Sequence, residues 1–259
     1  MALQNLPIGI QNFESLRKDG YLYVDKTAQV YKLATTGRYY FLSRPRRFGK
    51  SLLLSTLHAY FEGKRELFEG LAISALEQKW ETYPILHLDL NTQKYESPEA
   101  LENILDNAIT QWEELYGAKE SERSLSLRFL GVIRRASEKT GRRVVILIDE
   151  YDKPMLQAIG NEPLQEAYRN TLKAFYGALK SGDQYIRFAM LTGVTKFGKV
   201  SVFSDLNNLN DISMDWQYNS VCGITDEELD SVLHGYTEQL AARNRMTVEA
   251  ARERLRRLY

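Results

Sequence analysis

Short apolar runs alternate along the chain with longer stretches in which apolar positions recur every three or four residues. Tyr39-Tyr40-Phe41-Leu42 reads as a buried strand and leads at once into a basic loop. From Ser51 the pattern turns helical, with Leu52-Leu53-Leu54 running to Tyr60-Phe61 and Gly63 placed as a C-cap. Residues 85–90 predict the next strand. Ser97-Pro98-Glu99 then opens a helix, with Ser97 as N-cap and Pro98 at the first helical position. Gly117 ends that helix, and residues 118–124 predict the loosest loop of the chain. A second amphipathic helix spans about 125–139, and Gly141 closes it.

Val144-Val145-Ile146-Leu147-Ile148 is apolar at every position, the pattern of a central strand covered on both faces. Residues 163–180 predict a helix and 186–191 a further strand, whereas 198–218 are irregular and rich in Asn, Asp and Ser. Past Gly223 the pattern is all-helical, opened by the capped start Thr225-Asp226-Glu227-Glu228. The last segment, 247–259, sets Val248, Ala251, Leu255 and Leu258 on one face with Arg252, Arg254, Arg256 and Arg257 around it. Strands alternating with helices predict βαβ units and a mostly parallel α/β sheet with flanking helices. The expected division is an α/β core with an N-terminal extension over 1–222 and a helical lid over 223–259.

Composition narrows the classes of function. The 259 residues are 44% hydrophobic and 26% charged, ordinary values for a globular chain with a sizeable core. The longest aliphatic run, Val144 to Ile148, is far short of the ~20 residues of a membrane helix, so no membrane association is expected. Residues 1–10 lack the basic-then-apolar order of a signal peptide. The single cysteine, Cys222, excludes an intrachain disulfide and a cysteine-based zinc site, and predicts a buried thiol in a reducing cytoplasm. His58, His87 and His234 show no ligand spacing. With 34 basic and 34 acidic residues the net charge is zero, so any anion binding has to be local.

One local cluster fits that requirement. Arg44-Pro45-Arg46-Arg47-Phe48-Gly49-Lys50-Ser51 lies between the first predicted strand and the helix after it, the placement of a phosphate loop. Backbone N–H groups of such a loop face phosphate oxygens, and the helix dipole adds about half a positive charge. Lys50 is the candidate for the β- and γ-phosphates, and the Ser51 hydroxyl for Mg²⁺. Arg46, Arg47, Phe48, Gly49 and Leu52 complete the candidate nucleotide-binding set. Arg44 stands where the GxxxxGK[ST] pattern has its first glycine. If that position required positive φ, an arginine there would cost ~1–2 kcal/mol. The competing reading is a solvated basic turn that touches nucleic acid.

A second cluster follows the most hydrophobic strand. Val144 to Ile148 runs directly into Asp149-Glu150-Tyr151-Asp152, which places carboxylates at the sheet edge where open α/β sheets bind ligands. Asp149 is the candidate Mg²⁺ ligand alongside Ser51. Glu150 is the candidate base that orients and deprotonates attacking water. The competing reading is that these carboxylates cap the next helix. After the following strand, Thr192 is a candidate catalytic sensor reaching toward the γ-phosphate, with Thr195 and Lys196 behind it. An ordinary strand-end turn accounts for the same residues equally well. No N-K-x-D tetrad occurs in the chain, which favours ATP over GTP.

The chain resembles the AAA-ATPase-like family of bacterial and archaeal proteins. The resemblance rests on Gly20-Tyr21-Leu22-Tyr23-Val24-Asp25-Lys26-Thr27, on Ser43 through Ser51, and on Tyr60-Phe61-Glu62-Gly63 with Leu67-Phe68-Glu69-Gly70-Leu71. Ile148-Asp149-Glu150-Tyr151-Asp152-Lys153-Pro154 completes it. It implies an ASCE/AAA-like P-loop NTPase fold with ATP and Mg²⁺ as cofactors, and makes the missing first glycine a family trait. It places the Tyr23–Thr27 stretch near the base, with helix capping by Asp25 an equal alternative. Family members commonly continue into a PD-(D/E)XK-type nuclease domain. This sequence offers no candidate carboxylates and lysine for one and stops inside a helical pattern, so a truncated chain is expected.

Three functions compete at this level. The first is an ATP-binding, Mg-dependent ATP-hydrolysing switch whose lid signals nucleotide state to an attached domain. That domain would be the route to DNA or RNA, and a homo-oligomer is within the expectation. The second is a nucleic-acid-binding or scaffold module with little turnover, using Arg44, Arg46, Arg47 and the arginines of 252–257 on phosphate backbone. The third is a small-molecule kinase, for which the sequence has no acceptor-site signature.

Overall fold

The computed structural model describes residues 3–196 and 209–258. Five parallel strands form one sheet: β1 (Tyr39–Ser43), β2 (Ile85–Asp89), β3 (Val144–Asp149), β4 (Ile186–Gly193) and β5 (Asn210–Asp211), in the order β2-β3-β4-β1-β5. The helices of the α/β part are α1 (Phe13–Lys18), α2 (Thr27–Thr36), α3 (Lys50–Phe61), α4 (Ile73–Leu76), α5 (Pro98–Tyr116), α6 (Leu125–Thr140), α7 (Lys153–Gln157) and α8 (Glu162–Ser181). Three more close the chain: α9 (Asp226–Asp230), α10 (His234–Arg243) and α11 (Val248–Leu258).

The all-apolar β3 has the burial its composition demands. Every one of its residues is buried, and the two faces of the strand feed two separate cores. Val144, Ile146 and Ile148 face α5, α6 and α8, where the rings of Phe129 and Phe175 stack 4.3 Å apart. Val145 and Leu147 face the layer of α1, α2 and α3. Each such aliphatic side chain contributes about 1.5–3 kcal/mol when fully buried. The result is a sheet with helices on both faces, as expected of parallel strands.

Several local signals are realised. Ser97 and Gly117 bound α5, with Pro98 at its first position, although the Ser97 hydroxyl makes no cap bond. Gly141 closes α6 at φ 65°. Thr225 and Glu228 form a reciprocal capping box on α9. One expectation changes. The 118–124 loop is anchored, because the half-buried Glu122 carboxylate accepts two 2.8 Å bonds from the Arg135 guanidinium. Residues 198–208 of the irregular stretch lie outside the described residues, and the remainder holds β5 and a short turn at Trp216–Tyr218.

The order of the sheet sets the site. Strand β4 lies between β1 and β3, so the loop after β1 and the carboxylates after β3 sit one strand apart at the same edge. Helix α11 packs on α10, with Ala251 buried and Leu255 half-buried. Arg252 pairs with Asp230, and Arg256 Nε lies 2.7 Å from Asp226. Two of the four arginines of that segment are thus paired with carboxylates of α9.

Candidate functional site

The loop between β1 and α3 begins at Arg44, whose backbone N–H donates to Gly193 O (3.1 Å) at the end of β4. Its guanidinium donates to the carbonyls of Ser43 and Ser213, so the arginine fastens the start of the loop to the segment after β5. Positive φ falls instead at Arg47 (68°) and Gly49 (85°), and the strain expected for a residue in place of the first glycine does not arise at Arg44. Gly49 immediately precedes α3 in a left-handed conformation that costs glycine little. Among the described residues, the backbone N–H groups of Arg46 through Ser51 meet no protein acceptor. Unpaired N–H groups at a helix start, alternating through left-handed positions, make a concave anion cradle.

Lys50 is buried, and its ammonium is held by three oxygens. It donates to Arg44 O at 3.1 Å and Pro45 O at 3.3 Å, and lies 3.2 Å from Glu150 Oε1. Glu150 adopts φ 52°, an uncommon region for a side chain of its size, of the kind that concentrates at functional sites. Asp149 Oδ1 accepts the Glu150 N–H at 3.0 Å and so supports that turn.

Asp149 and Thr192 are both buried, and the Thr192 hydroxyl donates to Asp149 Oδ1 at 2.5 Å. Thr192, expected to reach toward a γ-phosphate, therefore orients the carboxylate instead. Asp152 is fully buried and accepts from Val194 N, Thr195 N and Thr195 Oγ1. It stands at the N-cap position of α7, but its side chain makes no cap bond there, so side-chain capping does not account for this carboxylate. Tyr151 donates to Thr195 O at 2.9 Å, and its ring crowds Gly193 so closely that a Cβ there would sit 2.5 Å from it. These bonds weld the ends of β3 and β4 together. Lys196 turns away, to Asp211 of β5 at 3.3 Å.

A cavity of about 870 Å³ opens above this edge. Arg46, Arg47, Phe48, Gly49, Lys50, Ser51, Leu52 and Glu150 all line it, whereas Asp149 and Thr192 lie behind its wall. Arg46 and Arg47 are exposed, and Phe48 O accepts the N–H of Gly223 at 2.9 Å. The volume suits a ligand of nucleotide size.

Most of the rest of the wall escaped sequence reasoning. It is built mainly from residues 6–11, from Leu22, Tyr23, Val24 and Lys26, and from residues 221–224 with Leu233, and Leu16, Leu53 and Asn91 complete it. Its apolar members come mainly from three distant segments, and only the Tyr23–Lys26 stretch carried a signal. Asp25 does not line the cavity. Its carboxylate accepts from Thr27 N, Thr27 Oγ1 and Ala72 N, so it ties the starts of α2 and α4 together, although Lys26 and not Asp25 stands at the N-cap of α2. Burial among these groups pushes the Cys222 thiol, on the same wall, up to about 12.

Mg²⁺ in such sites takes one or two protein ligands and fills its octahedron with phosphate and water oxygens. A hydroxyl at a helix start and one oriented carboxylate, Ser51 and Asp149, fit that donor chemistry. Among the described residues no cluster of three or more His, Cys, Asp or Glu could hold a metal without such help.

The all-parallel sheet with helices on both faces fits a P-loop-like fold. Residues 7–203 match the family described as predicted AAA-ATPase, and the chain belongs to that family. It is 42% identical over 236 residues to an uncharacterized protein in the vnfD 5′ region of Azotobacter chroococcum mcd 1. That stretch covers 90% of this chain and 45% of the relative, so the chain spans about half the relative's length. No solved structure matches it.

Proposed function

We propose that the domain binds ATP with Mg²⁺ in the cavity above β1 and β3 and hydrolyses it. The observation that carries this reading is the convergence of Lys50, Glu150 and the unpaired N–H groups of Arg46 to Ser51 on one cavity of nucleotide size. Phosphate oxygens are the natural acceptors for that cradle, and they would compete with Glu150 for the Lys50 ammonium. The apolar residues 6–10, Val24 and Ile224 are the wall on which a base would rest.

When bound, Mg²⁺ would be held by Ser51 and Asp149 and would neutralise phosphate charge. Lys50 holds the phosphate, and Thr192 keeps the Asp149 carboxylate turned. Glu150, released from Lys50, takes a proton from the attacking water, a contribution typically worth 10²–10⁴ in rate. Asp152, fully buried and engaged by three donors of the segment after β4, serves instead to hold that segment.

In this reading residues 223–259 act as a lid whose position follows nucleotide state. An attached domain of the longer protein, a nuclease by the family resemblance, would read that position. The reducing cytoplasm, contact with DNA or RNA through that domain, and a homo-oligomer belong to the same proposal. Arg46 and Arg47, both exposed, favour one second reading, in which the loop grips nucleic-acid backbone. Mg-ATP hydrolysis assayed with and without DNA separates the two. Turnover that needs Glu150 supports the first. Salt-sensitive DNA binding with no nucleotide effect supports the second.

A further inference from the structure

The Asp25-Lys26-Thr27 triplet forms a junction between three helices. Asp25 accepts from the start of α2 and from Ala72 ahead of α4, and the Thr27 hydroxyl accepts from Ile73 N at 3.1 Å. Both neighbours of Lys26 are thereby fixed to the body of the domain. Lys26 itself points the other way. Lys26 lines the cavity, and its ammonium pairs with Glu228 of α9, with 11% of the lysine side chain and 19% of the glutamate side chain exposed.

Glu228 has two roles on separate oxygens. Oε2 accepts the Thr225 N–H at 2.8 Å within the capping box, and Oε1 takes Lys26. The half-buried pair therefore joins a rigid floor to the first turn of the lid. Between the two anchors lies the cavity wall of Val221, Cys222, Gly223 and Ile224. Tyr236 of α10 donates to Gln4 O at 2.6 Å, which fastens the lid to the N-terminal wall at a second point.

We infer that the Lys26–Glu228 pair is the clasp that holds the lid segment in place as a wall of the cavity. This makes Lys26 a positioning residue for the ligand bound there, acting through the lid and not by touching the phosphates. The inference rests on the proposed nucleotide reading for its ligand, and on the fold alone for the clasp itself.

The test uses Glu228→Gln, because glutamine at the third helical position still serves a capping box while the charge is lost. Lys26→Met keeps the length of the stem. Each variant should weaken binding of Mg-ATPγS roughly tenfold, a usual size for coupling between sites. The double variant should be no worse than either single one. If Lys26→Met weakens binding and Glu228→Gln does not, Lys26 touches the ligand and the clasp is wrong. Additive losses are also against it. Hydrogen exchange of the ligand-free protein gives a reading independent of nucleotide. Amides of residues 226–233 should lose protection to a similar extent in Lys26→Met and Glu228→Gln, and unchanged protection overturns the clasp. Should the wild type bind no ATPγS while these amides respond as described, the nucleotide reading falls and the clasp stands.

Discussion

Lys50 and Glu150 face each other at 3.2 Å across the mouth of the phosphate loop, the ammonium of one engaged by the carboxylate of the other. In the proposed function a phosphate group and Glu150 would compete for one cation, and the pair would keep the candidate base occupied until an anion displaced it. Breaking it from the Glu150 side should leave binding intact while removing chemistry. Glu150→Gln is expected to bind Mg-ATP at least as tightly as wild type and to turn over 10²–10⁴ times more slowly. Single-turnover hydrolysis measures this, and wild-type turnover in the variant would remove Glu150 from the role of base.

Asp152 should behave differently from its neighbour. It is fully buried and satisfied by Val194 and Thr195, so Asp152→Asn turns an amide group toward N–H donors. The expected loss is about 1–3 kcal/mol of stability, read by chemical denaturation. Undiminished stability together with lost turnover would instead make Asp152 a participant in the chemistry.

Thr192→Val keeps shape and removes the donor to Asp149 Oδ1, which retains the Glu150 N–H. A hydrogen bond to a charged group contributes about 1.5–3 kcal/mol. The variant should need more Mg²⁺ for half-maximal turnover, because the carboxylate is no longer held in one orientation. An unchanged Mg²⁺ requirement would mean that Asp149 is placed by the backbone alone.

Cys222 gives a prediction about reactivity. With burial pushing its thiol up to about 12, the thiolate is scarce at pH 8, and the residue should resist iodoacetamide in the folded protein. Alkylation should become fast only in denaturant. Rapid labelling under native conditions would show that the cavity wall at Cys222 opens readily.

What the sequence revealed and what it hid follow from the range of the interactions involved. Strand β3 is legible because burial on both faces requires apolar residues at every position. The Thr225–Glu228 capping box is legible because both partners lie within one turn. Lys50, Ser51 and Glu150 are legible as neighbours because a loop and a strand end at the same edge of one parallel sheet lie close together. Arg44 was misleading, since its guanidinium finds Ser213 far along the chain and φ there is unremarkable. The wall formed by residues 6–11 has no periodicity of its own. Its place depends on the Leu22 N–H meeting Asn5 O at 2.9 Å and on Tyr236 from α10, contacts that exist only in the folded chain. Glu122 was read as part of a loose loop because its partner, Arg135, lies on the helix that follows.

The central claim is that Mg-ATP binds at the Lys50 loop, and calorimetric titration of wild type against Lys50→Ala tests it most directly. Wild type should bind Mg-ATP, and ligand at a hundred times Kd should stabilise the fold by about 2.7 kcal/mol in a parallel thermal melt. Lys50→Ala should show neither heat of binding nor stabilisation while remaining folded. Equal binding by the two proteins would place the phosphates elsewhere and contradict the account.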